Sequence, residues 1–226
     1  MAKALNIAHR GYTKDFPGNT VEAFNAAIKL GVQGIECDVH ETSDSKFIIY
    51  HDDDIGGRPI SEIPLKEIQK IRLKEQYKIP TLEETMVLCC DKVMLNLELK
   101  LVFSIDKFLK IVRANMPPEE LLLSSFQGSL ITELADAAPE IPRGIITGFK
   151  VKDPVTTVKL TRAQVMLPRF SFTTMALVDK MHIRSLKLMV WDCNKLEEIQ
   201  SALAWEVDGI ITDSPDVLSS ELSLMM

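Results

Sequence analysis

The chain has 226 residues, with 26 Lys+Arg against 32 Asp+Glu for a formal charge of −6; it is 46% hydrophobic and 26% charged. That composition excludes a disordered or fibrous chain, and the length suffices for a large buried core. The acidic balance, without a basic block, excludes a dedicated nucleic-acid binder, whereas a local cationic cluster or a bound cation still admits a phosphate-bearing small molecule.

No stretch approaches the roughly 20 apolar residues that span a bilayer, so no stable membrane insertion is expected. Residues 1–7 are too short for a signal peptide. Cys37, Cys89, Cys90 and Cys193 show no CxxC or metal-type spacing. They are expected to be reduced core thiols of a cytoplasmic protein.

In chain order, an apolar run at 4–9 comes first. A helix follows, with Val21, Phe24, Ala27 and Ile28 on one face, Asn19 as its expected cap and Gly31 as its stop. The run at 34–39 is succeeded by 46–50 after too few residues for a helical crossover, so 46–50 is expected to return antiparallel, turning near Ser43-Asp44-Ser45. Thr81 and Glu84 have the spacing of a capping box and open a helix through Leu88. Apolar runs at 93–99, 121–126, 144–147, 164–167, 186–191 and 209–212 alternate mostly with helical patterns, and Ser214-Pro215-Asp216 opens the last helix. Such alternation reads as a parallel sheet covered on both faces. With 46–50 set aside, eight βα units fit an α/β (β/α)₈ TIM barrel, a single domain over 1–226 with a β-hairpin after its second strand. An open doubly wound sheet is the competing arrangement, but no GxGxxG or GxxxxGK[ST] loop is present.

Active sites of such barrels lie at the carboxyl ends of the strands. The first strand ends in His9-Arg10-Gly11. On the second, Glu36 and Asp38 share a face while Cys37 points away; on the third, Asn96, Glu98 and Lys100 share a face opposite the leucines. The returning arm ends at His51-Asp52, roughly level with Asp38. Three carboxylates converging on one mouth repel one another unless protons or a cation intervene. All-oxygen ligation by Glu36, Asp38 and Glu98 suits Mg²⁺ or Ca²⁺ rather than zinc. His9 and His51 beside such an ion can act as general acid and base, and Arg10 and Lys100 add charge suited to phosphate oxygens. Taken singly, each has a structural alternative: a satisfied strand-end histidine, a salt-bridged rim carboxylate, a solvent-facing Glu-x-Lys pair. His40 and His182 are read as structural and Trp205 as helix packing, while Trp191 fits either the core or a pocket wall.

The chain resembles the glycerophosphodiester phosphodiesterases, members of the phospholipase-C-like phosphodiesterase barrels. The resemblance rests on Ala8-His9-Arg10-Gly11, Asn19-Thr20, Glu36-Cys37-Asp38, His51-Asp52, Pro80-Thr81-Leu82-Glu83-Glu84, Asn96-Leu97-Glu98-Leu99-Lys100, Val190-Trp191 and Gly209-Ile210-Ile211-Thr212-Asp213. It implies a barrel with an insertion at about 51–78 and one divalent cation, Mg²⁺ or Ca²⁺ with Mn²⁺ as a third candidate, on Glu36, Asp38 and Glu98. It further implies His9 and His51 as the catalytic pair, and Arg10, Lys100 and Trp191 as substrate contacts. The implied reaction, part of lipid metabolism, is hydrolysis of a small-molecule glycerophosphodiester to an alcohol and sn-glycerol 3-phosphate.

Two departures stand out: Gly18 replaces the family's usual Glu before Asn-Thr, and the segment 53–59 is shorter than usual. Two other functions compete. One is a lysophospholipase D or cyclising phosphodiesterase on lipid, which predicts an apolar rim such as 175–178 or 224–226. The other is a non-catalytic phosphometabolite-binding homologue, for which Gly18 is the hint. Homo-oligomerisation has no signature either way.

Overall fold

The computed structural model describes residues 4–225; Met1–Lys3 and Met226, the ends of two segments weighed above, lie outside the described residues. Eight parallel strands close on themselves: β1 (Leu5–His9), β2 (Gly34–Glu41), β6 (Met94–Leu101), β7 (Leu121–Ser125), β8 (Arg143–Thr147), β9 (Val165–Pro168), β10 (Lys187–Val190) and β11 (Gly209–Thr212). Closure comes from β1 lying between β11 and β2, with Ile7 level with both Ile211 and Gly34. β3 (Phe47–Ile49) returns antiparallel on β2, pairing Val39 with Ile49, as the six-residue gap requires. A two-stranded ribbon, β4 (Asp54–Ile55) and β5 (Arg58–Pro59), and a one-turn helix α2 (Leu65–Ile68) fill the insertion.

The outer layer is α1 (Val21–Leu30), α3 (Leu82–Cys89), α4 (Ile105–Asn115), α5 (Gly128–Ala137), α6 (Pro154–Leu160), α7 (Met175–His182), α8 (Leu196–Ala204) and α9 (Pro215–Leu224). No helix among the described residues is long and apolar enough to cross a membrane. The capping box at Thr81 and Glu84 forms, with the helix ending one residue beyond the expected Leu88. The cap of α1 is Thr20, not Asn19: the Thr20 side chain accepts from the Ala23 amide. Asn19 takes a left-handed backbone (φ 60°) and sends its amide elsewhere, to Asp38.

Apolar packing occurs in three places. Between strands and helices lies the main core, which includes Ile35, Cys37, Leu95, Leu97 and Phe108. Inside the barrel, Ile7, Leu122, Ile146, Val165, Leu167, Met189 and Ile211 fill the lower layers. Gly144 leaves room there for the Leu167 side chain, whose Cδ1 an added Cβ would meet. A satellite of five isoleucines (Ile48, Ile60, Ile63, Ile68 and Ile79) packs the insertion under β3. Cys37, Cys89 and Cys193 are buried and Cys90 half-buried, all as free thiols. Trp205 stacks on Phe170 at 5.4 Å, the packing role expected of it.

Candidate active site

At the carboxyl ends of the strands a cavity of about 230 Å³ opens, walled on one side by His9, Arg10, Glu36, His51, Glu98 and Lys100. Its opposite wall is apolar and includes Phe126, Ile146, Leu167 and Trp191. The strand alternation explains the first group: Glu36 stands level with Asn96, and Asp38 with Glu98, on adjacent parallel strands, all turned inward. A bulge between Val39 and His40 shifts the register past Lys100. His51 arrives from β3, whose following residue Tyr50 donates its amide to the Asp38 carbonyl at 2.9 Å. Gly11 makes the turn after β1 workable: its φ is +86°, and a Cβ would sit 2.7 Å from the Ala23 backbone.

Glu36, Asp38 and Glu98 each offer an oxygen within 4.8 Å of the others. One oxygen of each, Glu36 Oε1, Asp38 Oδ1 and Glu98 Oε1, is buried without an aligned hydrogen bond. Arg10 and Lys100, expected at the phosphate, also lean on these acids. Arg10 Nε lies 3.1 Å from Asp38 Oδ2, and Lys100 Nζ lies 3.1 Å from Asp38 Oδ1 and 2.5 Å from Glu98 Oε1. Lys100 is thus the ion-pair partner of Asp38 Oδ1 and Glu98 Oε1, which leaves Glu36 Oε1 as the one of the three with no partner among the described residues. Leaving a buried acceptor unpaired costs about 1–3 kcal/mol. Three carboxylates brought this close, all hard oxygen donors, fit a hard divalent cation.

The electrostatics agree with an acid cluster short of positive charge. Burial, and after it the charge of Asp38, pushes Glu36 up to about 8. Burial likewise raises Glu98, against the pull of Lys100. Asp38 is held below the usual carboxylate range although burial opposes this, because Lys100, Arg10 and the Asn19 amide (2.7 Å) outweigh it. Burial pulls His9 down, but its hydrogen bond to Asp213 and the nearby Glu36 leave it raised overall. His9 Nε2 lies 3.8 Å from Glu36 Oε2. At that separation the two titrate jointly, and the pair keeps a proton into a range where a free carboxylate has lost it.

His9 Nδ1 is 2.7 Å from Asp213 Oδ1. A carboxylate only accepts, so Nδ1 carries the proton and Nε2 faces the cavity. Asn194 in turn donates to Asp213 Oδ2 at 2.7 Å. His51 Nδ1 makes the same contact with Asp52 at 2.7 Å, and its carbonyl is approached at 3.4 Å by Nε2 of the fully buried His40. Trp191 lines the cavity. Its indole N–H donates to the Leu167 carbonyl at 2.8 Å, and Phe126 meets its ring edge-on at 5.7 Å. All eight residues singled out from the sequence therefore border one another, seven of them on the cavity and Asp38 behind Arg10 and Lys100.

Sequence reasoning passed over Asp213, Asn19 and Phe126 as site residues. Asp213 lies just past the end of the last barrel strand, so the strand-end rule that found His9 would have found it too. His40 proves to lie on β2 itself, and His182, at the end of α7, bonds Asp208 at 2.9 Å. Gly18 packs on Arg10: an added Cβ would meet Arg10 Cβ at 3.0 Å and Thr13 Cγ2 at 3.3 Å.

Residues 9–217 match the model of the glycerophosphoryl diester phosphodiesterase family. A glycerophosphodiester phosphodiesterase of Caldanaerobacter subterraneus subsp. tengcongensis is 30% identical, over 96% of each chain. Among solved structures, a phosphodiesterase of Oleispira antarctica in complex with the product sn-glycerol-3-phosphate superposes with a TM-score of 0.90 at 24% identity, covering 96% of each chain. The glycerophosphodiester phosphodiesterase of Thermotoga maritima does so at 0.82 and 24%, covering 98% of this chain and all of the other (100%). With its barrel, its strand-end residues and a family match over nearly its whole length, the chain belongs to the glycerophosphoryl diester phosphodiesterase family.

Proposed function

We propose that the protein hydrolyses glycerophosphodiesters to an alcohol and sn-glycerol 3-phosphate, with His9 and His51 moving the protons. The observation that carries this reading is the convergence of three carboxylates on β2 and β6, with oxygens within 4.8 Å of one another, beside a cavity flanked by two histidines and two cations. Glu36, Asp38 and Glu98 would hold one divalent cation, Mg²⁺ or Ca²⁺ or, third, Mn²⁺. When bound it supplies positive charge that polarises the phosphoryl group.

The remaining work falls to side chains. Arg10 and Lys100 offset negative charge as it gathers on the phosphoryl oxygens. His9, its tautomer fixed by Asp213, exchanges a proton at Nε2. His51, tied at Nδ1 to Asp52, does the same from the facing arm. One of them takes a proton from the nucleophile, water or the neighbouring glycerol hydroxyl, and the other protonates the departing alkoxide. Trp191, pinned through its indole N–H, walls the substrate's far side.

The test is release of glycerol 3-phosphate from glycerophosphocholine, with and without EDTA and with Mg²⁺, Ca²⁺ or Mn²⁺ restored. Turnover abolished by chelation and rescued by one of these ions is expected. Stabilisation by an ion without any turnover would instead identify a non-catalytic phosphometabolite binder.

A further inference from the structure

Phe103, Phe126, Phe149 and Phe172 recur at a constant interval of 23 residues. Each falls just past the carboxyl end of one of four successive barrel strands, β6, β7, β8 and β9. The interval equals one βα repeat here, so the barrel brings all four to neighbouring loops of the mouth. They are 69%, 46%, 67% and 39% exposed, and Met175, on the first turn of α7, is 53% exposed. The other apolar segment weighed from the sequence behaves differently: Leu224 and Met225 end a helix that runs away from the mouth.

Three of the rings are linked. Phe126 contacts Trp191, and a Cβ on Gly148 would lie 3.6 Å from Phe126 and 4.0 Å from Trp191. Phe149, the next residue, shares the wall of a shallow hollow with Phe172, Leu177, Lys150 and Lys180. Isolated apolar side chains on a surface need no explanation, but an arc of them around a site does.

Charge on the mouth is divided in the same way. Lys150, Lys152 and Arg169 stand on the loops that bear Phe149 and Phe172 and outnumber Asp153 there, in a chain whose overall charge is −6. Across the mouth from Phe149 and Phe172, the hairpin next to Phe103 carries the run Asp52-Asp53-Asp54 past β3. Rings interleaved with long cationic side chains suit an anionic phospholipid surface, with the rings at the acyl boundary and the ammonium groups among the phosphates. An acidic rim on the far side tilts that edge away from the same surface.

We propose that the arc of Phe103, Phe126, Phe149 and Phe172 docks the barrel mouth on an anionic phospholipid surface, so that a lysophospholipid or other diester held at that interface can enter the cavity. The proposal deepens the catalytic reading and rests on it for the substrate, while the docking itself has a separate readout.

The experiment is co-sedimentation of the protein, in EDTA so that no hydrolysis intervenes, with vesicles of phosphatidylglycerol or of phosphatidylcholine. It is paired with assays of glycerophosphocholine hydrolysis in Mg²⁺. The variant carries Phe103→Ser, Phe149→Ser and Phe172→Ser, none of which lines the cavity. The wild type is expected to sediment with phosphatidylglycerol vesicles and to be released by salt. The variant's partition coefficient should fall about tenfold or more, with hydrolysis of the soluble substrate unchanged. No wild-type binding, or equal binding by the two proteins, would overturn the proposal. So would a wild type that dimerises through the arc while ignoring vesicles. Vesicle binding that depends on the arc, in a protein that hydrolyses no diester, would keep the docking and remove the catalytic reading.

Discussion

Ile7 and His9 both turn into the barrel, two residues apart on β1, as do Ile211 and Asp213 at the end of β11. Along a strand that separation is about 6.6 Å. Below it, Ile7 packs with Leu122, Ile146 and Met189 in a dry plug. Above it, Glu36, Glu98, two histidines and two cations line the cavity, with Asp38 behind Arg10 and Lys100. The lower layer gains free energy from burial. The upper layer loses some, because Glu36, Asp38 and Glu98 are crowded together out of water, which costs free energy even with Arg10 and Lys100 beside them. One set of strands thus divides stability and chemistry by height, and the upper layer persists because the plug below it fixes the strand ends.

The sharpest break of this contrast is to empty the upper layer. His9→Ala and His51→Ala should each lower turnover by on the order of 10²-fold or more, with melting temperatures close to wild type; near-normal rates in either would reject the pairing. The mirror experiment is Ile7→Ala in the plug. A loss of about 2–5 kcal/mol in urea unfolding is expected, while the protein still folded keeps a kcat/KM near wild type. A kinetic defect as large as that of His9→Ala would show the layers to be one unit.

Asp213→Asn probes the boundary. It keeps the shape beside His9 but can present an amide N–H to Nδ1, favouring the wrong tautomer, and turnover should drop by roughly 10-fold or more. The diagnostic readout is whichever limb of the pH–rate profile His9 sets, acidic if it is the base and basic if it is the acid, and that limb should move to lower pH as His9 loses its anionic partner. An unmoved profile would assign Asp213 to structure alone.

The smallest effect is thermal. Burial raises Glu36 from 4.5 to about 8, so folding favours its protonated form. That stabilisation is complete below the unfolded value and disappears as pH climbs through about 8. His9, also raised, acts in the same direction. In EDTA the protein should therefore melt at least about 3 °C lower at pH 8.5 than at pH 6. Saturating Mg²⁺ should narrow the gap, since the ion replaces the proton among the carboxylates. A gap that Mg²⁺ leaves unchanged would put the ion elsewhere.

Much of this was legible because it is local. The pleat alone puts Glu36 with Asp38 and Glu98 with Lys100, and the short link before residue 46 forces β3 back toward Asp38. What was not legible joins distant parts of the chain. The contact between His9 and Asp213 exists because β1 pairs with β11 to close the barrel, and nothing near either residue announces it. Asn19 reads as a helix cap because asparagine before an amphipathic stretch usually is one; only the left-handed backbone at that residue frees its amide for Asp38. Phe126 looks like the end of an apolar strand until Trp191, three strands away in the sheet's own count, is folded against it.

The isoleucine satellite beneath β3 has its own significance. His51 rides on that small, separately greased module, whereas His9, Glu36 and Glu98 are rooted in the barrel staves. The position of His51 therefore depends on the packing of Ile48, Ile60, Ile63, Ile68 and Ile79 as well as on the barrel, so loosening this satellite would shift His51 relative to His9 without opening a barrel strand.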